Sequence, residues 1–213
     1  MKFPYYLTLL FLTVSIVRVG AERVIPDPLI AASAKDAVEK LGLEMMKGNF
    51  KYGHERMYPR WKRRLALRAG GMEKLEVQLT SAQQQRIRIG LVVTAYRVGE
   101  PTAFFDVWRA KKLHPVTGEP VRDDTGREVI TSHWLAIVPV TMQVKVPDRQ
   151  LGGKIRTLEE DTCTIAVCEK GTDDWYFLTG LKPTVQDLRS LFPTLPSDEK
   201  RLGLPVSSAR EIK

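Results

Sequence analysis

Side chains able to trade protons near neutral pH are few in this chain: of 213 residues only three are histidines, His54, His114 and His133. A metal centre needs several ligands brought together, and neither a His-x-His nor a His-x-x-x-His spacing occurs, so no metal and no other cofactor is expected. Among the carboxylates Asp106 stands out, because it interrupts the apolar run from Ala103 to Trp108. Alternation puts it on the side of Phe104 and Trp108, while exposure at a sheet edge is the competing placement. His133 beside Asp106 or Tyr96 on a neighbouring strand would make an acid–base pair of the kind that moves a proton in a pocket. The plainer reading of His133 is a surface residue at the mouth of a strand.

Cys163 and Cys168 are the only cysteines. Five positions apart on one regular strand, they face opposite sides and stand about 16 Å apart. A disulfide needs roughly 4.4–6.8 Å between Cα atoms, so two free thiols are expected. No histidine lies near enough in sequence to activate either one. The chain also has no phosphate-binding glycine loop, no nucleophile elbow and no calcium loop.

The segment PRWKRRLALR carries a different kind of chemistry. Pro59 suits the first turn of a helix whose polar side holds Arg60, Lys62, Arg63, Arg64 and Arg68, with Trp61 and Leu65 on the apolar side. Such a helix could bind an anionic polymer or a membrane surface, or be a solvated face with snorkelling arginines. The net charge of +8 and isoelectric point near 9.5 agree with weak attraction to polyanions. Nucleic acid is not the expected partner, and a membrane enters only through the N-terminal segment described next.

Residues 1–21 read as an export signal, with Lys2, an apolar run from Leu7 to Val17, and small residues at Gly20 and Ala21 for cleavage. That run of about eleven residues is short for a bilayer core of roughly 30 Å, and an uncleaved anchor is the alternative. The expected location is therefore periplasmic or secreted. Residues 22–30, with Pro26 and Pro28, form an extended leader. Ser33 is a serviceable helix cap, and Ala34, Ala37, Val38, Leu41 and Met45 recur at helical steps up to Gly48. Two more helices are expected before Gln85.

Strands follow at 89–98 and 103–108, with residues 111–132 as a long loop. The longest period-two run is His133 to Val146. It sets Trp134, Ala136, Val138, Val140 and Met142 on a dry face and Leu135, Ile137 and Thr141 on an outward face that would suit a homodimer. At about 43 Å this strand demands a twisted or bent sheet, and Pro139 is expected to mark a bulge or an edge. A strand from Ile155, an aromatic strand at Trp175–Thr179 and a short helix capped by Thr184 come next. The Pro-containing tail 193–213 is expected to be disordered.

The opening helix AKDAVEKLGLEMMKGNF, the strand-turn TAYRVGEP and the closing pair CTIAVCEKGTDDWYFLTG resemble the nuclear-transport-factor-two-like superfamily, also called the ketosteroid-isomerase-like or SnoaL-like cone, over residues 31–192. The resemblance implies an α+β domain in which N-terminal helices pack in the concave face of a strongly curved antiparallel sheet. It also implies a pocket, here with Trp134, Val138 and Met142 in its lining. That superfamily holds isomerases and dehydratases beside non-catalytic binding and assembly domains. No motif matches the enzymatic members, and the closest likeness is to secreted members without assigned activity. The expected function is a non-catalytic binding or assembly domain of the cell envelope, taking a small apolar ligand or a protein partner. The alternatives are a pocket lyase or isomerase using His133, Asp106 or Tyr96, and an anionic-polymer binder working through the basic helix.

Overall fold

The structure is a computed structural model that describes residues 21–114, 116–148 and 154–212. Residues 1–20, which hold all but the last position of the expected export signal, lie outside the described residues. After a two-residue strand β1 (Arg23–Val24), helix α1 runs Pro28–Met46. It starts earlier than Ser33 because Asp27 accepts a hydrogen bond from the Leu29 N–H at 2.8 Å and Pro28 is preset for a first turn. Short α2 (Lys51–Glu55) leads to α3 (Pro59–Ala69), which ends on Gly70 at φ 83°, a left-handed stop that glycine takes without steric cost. Helix α4 spans Met72–Arg88.

The strands are β2 (Val92–Val98), β3 (Ala103–Lys111), β4 (Ile130–Asp148), β5 (Lys154–Glu169) and β6 (Tyr176–Phe177). Helices α5 (Val185–Leu191) and α6 (Glu199–Leu202) and strand β7 (Ser208–Ile212) complete the described chain. The architecture is thus α+β, with one seven-stranded antiparallel sheet that is not closed.

The long hairpin of β4 and β5 is the spine, paired without a break from His133↔Glu169 to Asp148↔Lys154. Neither neighbour covers its whole length. On the outer side of β4, β3 pairs as far as Ile137 and β2 takes over at Val140; beside β5, β6 meets Ala166 and Val167 while β7 meets Thr157–Asp161. Pro139 sits at the change of partner. Its carbonyl accepts from the Gly99 N–H at 2.9 Å, so its missing donor faces the 99–102 turn, at a position that neither β2 nor β3 pairs with. The β4–β5 register does not bulge there, contrary to one of the two sequence expectations; register shifts occur instead in β2 at Val93/Ala95 and in β3 at Val107/Ala110.

Two cores form, one on each face of the sheet. Ala34, Val38 and Leu41 of α1 cluster with Phe104, Ala136, Val138, Val140, Ala166 and Trp175. The Trp175 Nε1–H donates to the Ser33 hydroxyl at 2.9 Å, tying α1 to the end of the sheet. The opposite face of the sheet, Phe105, Val107, Leu135, Ile137, Ile165 and Val167, clusters with Trp61, Leu65, Leu75, Leu188, Phe192 and Leu202. Leu135 and Ile137 are therefore not outward residues available to a second copy: both are fully buried. Each such side chain contributes about 1.5–3 kcal/mol by leaving water. Strict alternation signals at least one dry face; it does not say that the other face is wet.

The tail also departs from expectation. Over its described part it holds α6 and β7, and Leu195 and Leu202 are buried. The Arg23 guanidinium donates to the carbonyls of Lys200 (2.9 Å) and Arg201 (3.0 Å), closing N-terminal strand onto C-terminal helix. The loop expected at 111–132 is partly ordered by single bridges, Leu113↔Pro120 and Arg122↔Glu128.

Candidate functional site

Beyond Ile137 and Ile165 the paired residues of the hairpin become Val140/Thr162 and Met142/Glu160, and apolar packing against the helices thins. A cavity of about 570 Å³ lies there, among α1, α2, α4, the hairpin and the segments 178–183 and 199–207. Its walls include Leu41, Met45, Phe50, Leu79, Met142 and Leu178. It also reaches Thr162–Ile165, the stretch of β5 between the residues paired with β7 and those paired with β6; there the Leu178 N–H donates to the Ile165 carbonyl at 3.0 Å.

The polar groups of this cavity meet hydroxyls rather than one another's charges: Lys182 Nζ donates to the Ser207 hydroxyl at 2.6 Å. The Tyr96 hydroxyl lies 3.3 Å from Thr164 Oγ1, and burial pushes its phenol pKa up despite that hydrogen bond. Its ring is pressed against α1 at Gly42, where an added Cβ would stand 2.0 Å from Tyr96 Cδ1. Burial, and then the charge of Arg86, holds the His54 imidazole below its ordinary 6.5. Arg86 lies 5.5 Å over the Phe50 ring. Burial raises the Cys163 thiol, which keeps it protonated and a poor nucleophile. Cys163 and Cys168 are both free thiols.

A second concavity, about 240 Å³, lies at the start of α3 between Tyr58, Arg60, Arg63, Lys112, His133 and Glu169. The Tyr58 ring meets His133 edge-on at 6.1 Å and stacks on Phe192 at 5.8 Å. Burial lowers the His133 pKa, with Glu169 opposing, and its Nδ1 is buried without a hydrogen-bond partner.

The three acid–base candidates do not converge. In the β3–β4 register Asp106 pairs with Trp134 and Val107 with His133, which puts Asp106 and His133 on opposite faces of the sheet. Asp106 is exposed and bound to Lys170 at 2.5 Å, and Lys170 Nζ covers the Trp134 ring at 3.9 Å. Tyr96 pairs with Met142, about 26 Å along β4 from Trp134. Of the residues expected to line a pocket, Met142 does so, Val138 is fully buried in the core, and Trp134 is half-buried beneath Lys170.

The basic helix is likewise divided. Lys62 pairs with Glu76 of α4 at 2.6 Å, and Arg64 and Arg68 both reach Asp187 of α5. Arg60 and Arg63 alone among the five meet no carboxylate among the described residues. Sequence reading weighed His54 only as a possible metal ligand and missed Arg86, since only the tertiary fold turns the two toward one space. Among the described residues no group of three or more His, Cys, Asp or Glu side chains could hold a metal ion, and no helix is long and apolar enough to cross a membrane. No family model, no curated protein and no solved structure matches this chain.

Proposed function

We propose that this chain is an exported, non-catalytic binding domain that takes a small, largely apolar ligand in the cavity of about 570 Å³. The observation that carries the reading is the lining of that cavity: Leu41, Met45, Phe50, Leu79, Met142 and Leu178 supply its apolar wall. No hydrogen bond joins two ionisable lining side chains among the described residues. A volume of this size suits a drug-sized molecule, with Tyr96 and Thr164 as a fixed polar mark for orientation. Catalysis by a proton relay among Tyr96, His133 and Asp106 is less well supported, because of the three only Tyr96 lies in the cavity. Export rests on the character of residues 1–21. The assignment to a nuclear-transport-factor-two-like cone rests on helices preceding an antiparallel sheet and on Trp175 anchoring the first long helix.

The test is titration with a neutral apolar fluorophore such as Nile red, read as enhanced emission. Saturable binding at one site is expected. Met142→Trp, which fills the cavity, and Ala82→Trp, which narrows its mouth from an exposed helix position, should each weaken it at least tenfold. Unchanged affinity in both folded variants would overturn the reading.

A further inference from the structure

The groove at the start of α3 holds two arginines that meet no carboxylate among the described residues. Within it, Lys112 is offset by Glu169 at 3.5 Å, Lys111 by Glu128 at 2.6 Å, and Asp174 by Arg56 at 2.6 Å. Arg60 and Arg63 are left as two positive charges without a carboxylate among the described residues. Burial first, and then the neighbouring Arg60 charge, lower the Arg63 pKa, so the two guanidinium groups are near enough to repel each other. An arrangement of that kind is unfavourable in the empty state and is relieved by an anion.

Three further features point the same way. Helix α3 has eleven residues and opens on Tyr58 with no side-chain cap, and its first residues Pro59, Arg60 and Arg63 line the groove, so the positive end of the helix dipole lies beside it. His133 lines the groove, and its Nδ1, closed off from solvent, has no hydrogen-bond partner among the described residues, which leaves a polar group of the wall unsatisfied. Finally, about 240 Å³ admits a compact group and not a polymer.

We propose that this groove is a binding site for a compact oxyanion of two negative charges, the phosphate of a phosphate monoester or free phosphate, held by Arg60 and Arg63. Two unneutralised guanidinium groups match a dianion in charge and in the planar, forked geometry of their donors. Glu169 stays engaged with Lys112 and limits the site to small anions. The site is separate from the large cavity and stands or falls independently of it.

The experiment is isothermal titration of the full chain, at constant ionic strength set with chloride, using inorganic phosphate, glycerol 3-phosphate, and glycerol as the neutral control. Saturable binding of at least one phosphate species is expected, with none of glycerol. A preference for glycerol 3-phosphate assigns a monoester; equal or better binding of inorganic phosphate assigns the free ion. Arg60→Gln and Arg63→Gln should each weaken binding at least tenfold, and the exposed control Arg88→Gln should not. Because neither arginine has an ionic partner among the described residues, both variants should melt no lower than the parent in the absence of anion, which separates loss of binding from loss of fold. Absence of saturable phosphate binding, or binding indifferent to both substitutions, overturns the proposal. Retention only on a polyanionic matrix, collapsing steeply with salt, also overturns it, in favour of diffuse surface attraction.

Discussion

The carboxylate of Asp187 in α5 receives the Arg68 guanidinium from α3, with side-chain exposures of 6% and 46%. The same carboxylate accepts from the Thr184 N–H at 3.0 Å and the Thr184 hydroxyl at 2.9 Å, and the Thr184 hydroxyl in turn accepts from the Asp187 N–H, forming a capping box. One buried acid thus both starts a helix and pins it to another. Burial pushes the Asp187 carboxyl up, but Arg68 and Thr184 outweigh it and hold the group below its ordinary 3.8. Asp187→Ala is expected to destabilise the fold by about 2–3 kcal/mol, leaving Arg68 and the cap without their acceptor. At this chain length that lowers Tm by roughly 5–10 °C. Because the folded pKa is depressed, this contribution is present above 3.8 and is lost as pH falls through the folded value. A variant melting with the parent would disprove the assignment.

Gly42 is the point where the Tyr96 ring comes closest to α1, so Gly42→Ala forces one of them to move. Overpacking of this kind costs about 1–3 kcal/mol. Tyr96→Phe keeps the ring and loses only the contact to Thr164, costing about 0.5–1.5 kcal/mol. Combining Gly42→Ala with Tyr96→Ala should destabilise less than the sum of the two single changes, since removing the ring removes the clash. Strict additivity in denaturant titration would refute the contact.

Glu159 organises the other end of the sheet. It accepts from Gln143 at 2.8 Å and Arg97 at 2.7 Å and pairs with Arg210 of β7. The Gln143 hydrogen bond, then Arg210, hold its carboxyl below the ordinary 4.5. Glu159→Gln should speed amide exchange across Ser208–Ile212 while leaving α1 unchanged. The parent should loosen the same strand as pH falls through the folded pKa of Glu159, its attachment being complete above 4.5. Equal exchange in variant and parent would count against this role.

His54 and His133 predict a second, milder acid sensitivity. Burial is the first cause of depression in both, with Arg86 adding to it at His54 and Glu169 opposing it at His133. In each case the unfolded chain binds its proton at a higher pH than the folded one. Stability is therefore complete above about 6.5 and declines as pH drops from there through the folded values. Melting curves from pH 8 to pH 5 should show Tm falling below pH 6.5, and His54→Asn with His133→Asn should flatten that slope. A flat profile in the parent would refute it.

Local pattern alone was enough for several elements. The alternation of β4, the Pro59 start of α3, the Gly70 stop and the Thr184 cap depend on side chains acting on backbone within a few residues, so they are readable from neighbours in sequence. The impossibility of a Cys163–Cys168 bridge follows equally from strand spacing. Tertiary structure decided what those elements face. Whether Leu135 and Ile137 are wet depends on α3 and the C-terminal helices, whose arrival a period of two cannot encode. Whether five basic residues act together depends on where Glu76 and Asp187 lie, and those acids arrive from other helices to claim Lys62, Arg64 and Arg68. The two arginines left over, and the cavity left between hairpin and helices, are products of long-range packing: charge and space remain free only where no distant part of the chain has come to fill them.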